Sequence, residues 1–263
     1  MTVSRLRRGL QEGAVPLGSF VFSRASSNVE IVARAGFDFV ILDMEHAPLE
    51  LVEVESHIRA CNSCGISSLV RVPGAGDALI GRLLDLGAEG IMFPHFGRDR
   101  AASRGFAANL RYAPEGHRPS CTGVRAAGYT IGSYADYVRS ANANILGIGL
   151  VEDIEPIGQL DAILAEARVD ALMPGPADIS TSLGLPGQPT HPRVREAVAK
   201  VMEAARRAKL PVGMYLNSVA EAADWPDVDF FVYMMDVKVL ATAYTEAAKG
   251  LRGAIGSRDC RAA

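Results

Sequence analysis

Residues 37–48, FDFVILDMEHAP, decide the fold. The run is apolar from Phe39 through Leu42, then places Asp43, Glu45 and His46 ahead of Pro48. A short, continuous apolar run suits a strand buried on both faces, as in a parallel sheet covered by helices. Ionisable groups at the carboxyl end of such a strand fit a barrel, whose chemistry sits where its strands end.

Outward from this stretch the pattern repeats. Strand-like runs occur at Pro16–Phe22, Phe37–Asp43, Ser67–Pro73, Gly90–His95, Ile145–Glu152, Asp170–Gly175, Pro211–Asn217 and Asp229–Asp236. Helical spacing of apolar residues marks Asn28–Ala35, Leu51–Cys61, Asp77–Leu86, Arg98–Leu110, Gly158–Ala167, Arg193–Ala208 and Val219–Trp225, with a last helix over Val237–Arg252. Strand followed by helix, eight times over, predicts a (β/α)8 TIM barrel spanning residues 1–263 as one domain. A doubly wound sheet is rejected: GAGDALIG at 74–81 has Leu79 where the third glycine of a dinucleotide loop belongs. The segment Arg111–Gly132, RYAPEGHRPSCTGVRAAGYTIG, breaks the rhythm and reads as a long loop, either a lid or an anion-binding segment through Arg111, His117, Arg118 and Arg125, or a solvated surface loop.

Composition narrows the function. With 263 residues, 49% hydrophobic content and a formal charge of -3, the chain can fill a large core and offers no basic surface for nucleic acid. No apolar run approaches membrane-spanning length, and MTVSRLRRGLQEG lacks a signal peptide's apolar core, so the cytoplasm is the default location. Cys61, Cys64, Cys121 and Cys260 make no disulfide framework, and the lone CxxC at 61–64 reads as packing rather than a zinc site.

The strand ends carry the chemistry. Asp43, Glu45 and His46 follow the second strand, Arg71 the third, His95 the fourth, Glu152 and Asp153 the fifth, Gly175 through Asp178 the sixth, and Asp236 the eighth. Glu152 and Asp178, on neighbouring strands, are oxygen donors that suit a hard divalent ion, Mg²⁺ or Mn²⁺ with Co²⁺ allowed, and leave positions for a chelating substrate. Asp178 also stands where it could cap a helix, Asp153 could share the metal role, and Arg71 could simply pair with a rim carboxylate. His57 and His191 read as structural.

LDMEHAP at 42–48, RVP at 71–73, RYAPEGHR at 111–118, LVEDIEPIGQL at 150–160 and above all GPADISTSLGLPGQPTHP at 175–192 resemble the HpcH/HpaI family of class II 2-oxo acid aldolases. The resemblance implies a (β/α)8 barrel that catalyses reversible, metal-dependent aldol cleavage of a 2-oxo acid to pyruvate and an aldehyde. By that resemblance Glu152 and Asp178 hold the metal, His46 paired with Asp43 handles the proton, and Arg71 grips the oxo acid. Gly175, Pro176, Ala177, Leu150, His95 and Arg118 are expected around the substrate. The family's habit of assembly implies a homo-oligomer, a hexamer or trimer of dimers, with the last helix packed on a neighbouring subunit.

Met44, Leu150, His95 and Pro119 depart from the family's usual glycine, glutamine, apolar residue and glycine, so the pocket frame is altered. Two alternatives to aldol cleavage therefore stand: condensation of oxaloacetate with acetyl-CoA to citrate, as in siderophore pathways, and a barrel that binds a metabolite without turnover. Schiff-base chemistry is excluded on lysine placement. The four lysines, Lys200, Lys209, Lys238 and Lys249, all lie outside the predicted strands.

Overall fold

In the computed structural model, which describes residues 4–74 and 77–255, eight parallel strands form one sheet. They are β1 (Leu17–Val21), β2 (Phe39–Asp43), β3 (Ser67–Arg71), β4 (Gly90–Phe93), β5 (Leu146–Val151), β6 (Ala171–Pro174), β7 (Gly213–Leu216) and β8 (Phe230–Met235). The order β6-β5-β4-β3-β2-β1-β8-β7 is closed by a parallel bridge between Leu172 and Val212, giving the expected barrel. The helices are α1 (Arg5–Glu12), α2 (Ser27–Arg34), α3 (Leu51–Cys64), α4 (Asp77–Leu86), α5 (Arg100–Asn109), α6 (Tyr134–Asn144), α7 (Leu160–Glu166), α8 (Pro176–Ser182), α9 (Pro192–Arg207) and α10 (Asp236–Ile255).

Strand alternation builds two separate cores. Phe20, Phe39, Ile41, Leu69, Met92, Ile148, Leu150, Met173 and Val232 fill the barrel interior. Val40, Leu42, Val70, Ile91, Val151 and Leu172, their alternates, pack outward against the helices. This period places the site: Asp43, Arg71 and Glu152 each lie two residues beyond an interior residue (Ile41, Leu69 and Leu150), so they share the interior side at the carboxyl rim.

The amino end is closed by elements the periodicity did not anticipate. Leu6 of α1 is fully buried in the interior cluster, and its amide donates to Ser67 Oγ at 3.1 Å. Helix α6, between the long loop and β5, was also unanticipated, whereas α8, just after β6, is the helix expected to open near Asp178. The Val219–Trp225 segment is a 3-10 turn over Val219–Asp224 rather than an α-helix.

The loop 111–132 belongs to this amino end, away from the catalytic rim. Arg111 is buried and pairs with Asp170, just ahead of β6, at 2.8 Å. Arg118 reaches Asp85, in the last turn of α4, at 2.9 Å and stacks over Tyr112 at 4.5 Å. Arg125 donates to the Leu86 carbonyl at 2.8 Å. The loop leaves the carboxyl end of α5, and every helix of the barrel wall ends at the amino face, so this loop cannot lid the rim. The expectation that Arg118 binds substrate is thereby corrected.

Helix α10 leaves β8 with Asp236 as its only buried residue, and Val237, Leu240, Tyr244, Leu251 and Ile255 are exposed along it. Cys61 is buried in the helix-facing core, which pushes its thiol pKa up and fits the packing role expected of it. Ala75 and Gly76 of GAGDALIG, and Cys260, lie outside the described residues.

Candidate active site

The register of β2 on β3 sets Asp43 beside Arg71. The guanidinium meets the buried carboxylate through two bonds, Nε to Oδ1 at 3.0 Å and Nη2 to Oδ2 at 2.6 Å. Burial works against the charge on Arg71, but its bonds to Asp43 outweigh this and hold its pKa above the ordinary value. The second Asp43 contact is local: Oδ1 accepts the backbone amides of Glu45 at 2.9 Å and His46 at 3.4 Å, which fixes the turn after β2.

This corrects the expected Asp43–His46 pair. Asp43 spends its lone pairs on a guanidinium fork and two amides, and so reaches His46 through the backbone rather than the ring. The imidazole stands 61% exposed, with Nε2 3.8 Å from Glu45 Oε2. The acid beside the histidine ring is therefore Glu45. That same Oε2 lies 3.3 Å from Arg71 Nε and is buried without a hydrogen-bond partner.

Across the rim, Glu152 is buried at the end of β5. Its Oε1 accepts the His95 amide at 2.8 Å. Burial raises its pKa to about 7, with the negative charges of Asp178 and Glu45 adding to the effect and His95 opposing it. Gly175 is required here, because a Cβ at that position would lie 2.9 Å from Glu152 Cβ. Gly175 also takes the cap position of α8, followed by Pro176 at its start, so Asp178 stands in the first turn rather than at the cap. Asp178 and Ala177 are exposed, and Leu150 floors the site from inside the barrel.

Asp153, which the sequence allowed to share the metal role, sits against His95 instead. Its Oδ2 lies 2.9 Å from His95 Nδ1, and Oδ1 lies 3.6 Å from Arg98. Glu45, His95 and Glu152 present ligand atoms that all lie within 4.8 Å of one another. A buried carboxylate near pKa 7, an orphaned carboxylate oxygen and a surplus of acid over base fit a divalent cation. On the β7–β8 side, Lys238 stays at the rim, its ammonium on Asn217 Oδ1 at 2.6 Å, but all four lysines are exposed. Asp236 accepts the Phe22 and Ser23 amides and so ties the start of α10 to the β1–α2 loop. His57 is structural as expected, its ring nitrogens on the carbonyls of Glu53 and Ser23. So is His191, which caps α9.

The HpcH/HpaI aldolase/citrate lyase family model matches residues 17–227. The chain is 35% identical over 232 residues to the hydroxypyruvate/pyruvate aldolase of Paraburkholderia phytofirmans, covering 86% of this chain and 88% of that one. The crystal structure of an HpcH/HpaI aldolase from Desulfitobacterium hafniense DCB-2 has a TM-score of 0.89 at 29% identity, covering 95% of this chain and 97% of that one. The citrate synthase SbnG has a TM-score of 0.84 at 27% identity, covering 95% and 98%. The match over most of the length, on a barrel whose rim carries the residues described above, has a single reading: the chain belongs to the HpcH/HpaI aldolase/citrate lyase family.

Proposed function

We propose that the carboxyl rim makes and breaks a carbon–carbon bond beside the keto group of a 2-oxo acid, with an aldehyde as second partner and a divalent cation held by Glu152 and Asp178. The observation that carries this is the charge imbalance of the rim: Glu152 is buried with its pKa at about 7, and its carboxylate neighbours push it up rather than relieve it. When bound, the cation supplies the positive charge that polarises the keto oxygen and steadies negative charge developing as the adjacent bond breaks.

This chain's residues do the rest. Asp43 holds Arg71 by Nε and one Nη nitrogen, which leaves the other for the oxo acid's anionic oxygens in a fixed orientation. His46 is open to the incoming molecule and carries the proton at Nε2, with Glu45 as the acid nearest its ring. Gly175, Pro176 and Ala177 border Glu152 and line the oxo-acid side, over the apolar floor of Leu150. The apolar residues exposed along α10 support a homo-oligomer in which that helix packs on a second copy.

The test is a product screen. Enzyme loaded with Mg²⁺ or Mn²⁺ is incubated with pyruvate or oxaloacetate and either a panel of aldehydes or acetyl-CoA, and products are identified by mass. Aldehyde-dependent bond formation that EDTA abolishes is the expected result. Citrate from oxaloacetate and acetyl-CoA, without any aldehyde product, would replace this reading with the condensation that the likeness to SbnG favours. No metal-dependent product from either set would overturn both.

A further inference from the structure

His95 stands where the connection from β4 to α5 turns over the rim. Its backbone is left-handed, with φ of 51°, a conformation that is unfavourable for a side-chain-bearing residue and persists where the surroundings enforce it. In that conformation its amide points at Glu152 Oε1, 2.8 Å away. The ring reaches the same carboxylate, with Nδ1 3.5 Å from Oε1, while Asp153 Oδ2 lies closer to Nδ1, at 2.9 Å. The ring is 46% exposed. Glu45 arrives from β2 with a buried oxygen that has no hydrogen-bond partner. Thus a nitrogen and two carboxylate oxygens, from three strand ends, lie within 4.8 Å of one another.

We propose that His95 is a nitrogen ligand of the rim's divalent cation, with Asp153 as its orienting carboxylate, so that this centre binds through both imidazole and carboxylate. The inference rests on the reading that the rim holds a divalent ion and goes beyond it in naming a ligand and a metal preference. With Nδ1 2.9 Å from Asp153 Oδ2, a proton held there would be donated to the carboxylate and leave the lone pair on Nε2 for the cation, which is how a carboxylate fixes the tautomer of a metal-bound imidazole. A nitrogen donor separates the candidate ions. Mg²⁺ favours oxygen ligands and gains little from it, whereas Co²⁺ and Ni²⁺, later in the stability series, gain more than Mn²⁺. The centre should therefore discriminate against Mg²⁺ more strongly than a set of carboxylates alone.

Pulsed EPR of the Mn²⁺-loaded protein reads the ligand directly, and calorimetric titration with Co²⁺ and Mg²⁺ reads the preference; neither requires turnover. The wild type should show coupling to a directly bound ¹⁴N. His95→Asn, which tolerates the left-handed backbone, should lose that coupling and bind Co²⁺ about 10- to 100-fold more weakly, with Mg²⁺ affinity changed by about threefold or less. Asp153→Asn should keep the coupling and weaken Co²⁺ by about tenfold. Wild-type protein that binds Mn²⁺ without nitrogen coupling would overturn His95 as ligand and leave the metal reading intact. Wild-type protein that binds no Mn²⁺ would overturn both.

Discussion

The two ends of the barrel use the same residue types to opposite effect. At the amino end, Arg7 and Arg111 converge on Asp170, and Arg118 meets Asp85, so cations and acids tie the plug helix α1 and the long loop to the wall. At the carboxyl end, among the described residues, the five carboxylates Asp43, Glu45, Glu152, Asp153 and Asp178 share two guanidinium partners, Arg71 and Arg98, besides the rings of His46 and His95. Balanced charge closes a structure; unbalanced charge prepares a site. Arginine content alone does not tell the two apart, which is how the loop 111–132 came to look like a substrate-binding element.

The sharpest test of that contrast is a pair of substitutions with opposite signatures. His46 is exposed and its side chain stabilises little, so His46→Ala should leave the denaturation midpoint unchanged while turnover falls about 100- to 10,000-fold, the usual range for a lost acid/base group. Arg118→Met removes a buried partner of Asp85 and Tyr137 and a stacking contact on Tyr112. It should lower stability by about 2 kcal/mol in urea unfolding, with kcat/KM within about twofold of wild type. A loss of kcat/KM in Arg118→Met without loss of stability would return the loop to the active site.

A smaller effect separates the ends by pH. Glu152 has a folded pKa of about 7 against an ordinary value of 4.5, so the folded metal-free protein holds a proton that the unfolded chain gives up. Stability from this group is therefore fully present below pH 4.5 and is lost as pH rises to about 7, a change on the order of 3 kcal/mol. Glu152→Gln should flatten that slope, and the difference between the two unfolding curves isolates the group from Glu89, which shifts in the same direction through its burial near the amino end. Saturating Mn²⁺ should reverse the sign by favouring the ionised form. Parallel curves for wild type and Glu152→Gln would show that the rim is not under this strain.

What was legible in the sequence followed from period and strand ends. Continuous apolar runs such as Phe39–Leu42 and Leu146–Val151 can sit only between two apolar layers, and the polar residues just beyond them had to share a rim. Partnership was less legible, because it depends on register. Asp43 is three residues from His46 in the chain, yet it lies level with Arg71 on the adjacent strand, and the bidentate guanidinium takes its oxygens. Glu45 and Asp153 acquire roles only through contacts across the rim, to Arg71 and to His95. Helix α6, YADYVRSANAN, carries enough polar residues to blur its period beside a loop rich in Gly, Pro and Arg. The sign was nonetheless available for the long loop: it follows a helix rather than a strand, which in this architecture puts it at the amino face.

The last prediction expects no change at all. A barrel activates a keto group either through a cation or through a lysine that forms an imine, and imine formation requires an amine that is desolvated and neutral. Here the interior positions hold Phe, Ile, Leu, Met and Val, while Lys200, Lys209, Lys238 and Lys249 are exposed. Lys238 comes nearest, at the rim, but its ammonium is open to solvent and committed to Asn217 Oδ1 at 2.6 Å. Borohydride added with pyruvate or oxaloacetate should therefore leave activity intact and the mass of the protein unchanged, whereas EDTA should abolish turnover. A reduced adduct on Lys238, with activity surviving the chelator, would move the chemistry from the acid-rich side of the rim, at β2 through β6, to the β7–β8 side, and the unbalanced carboxylates would need another explanation.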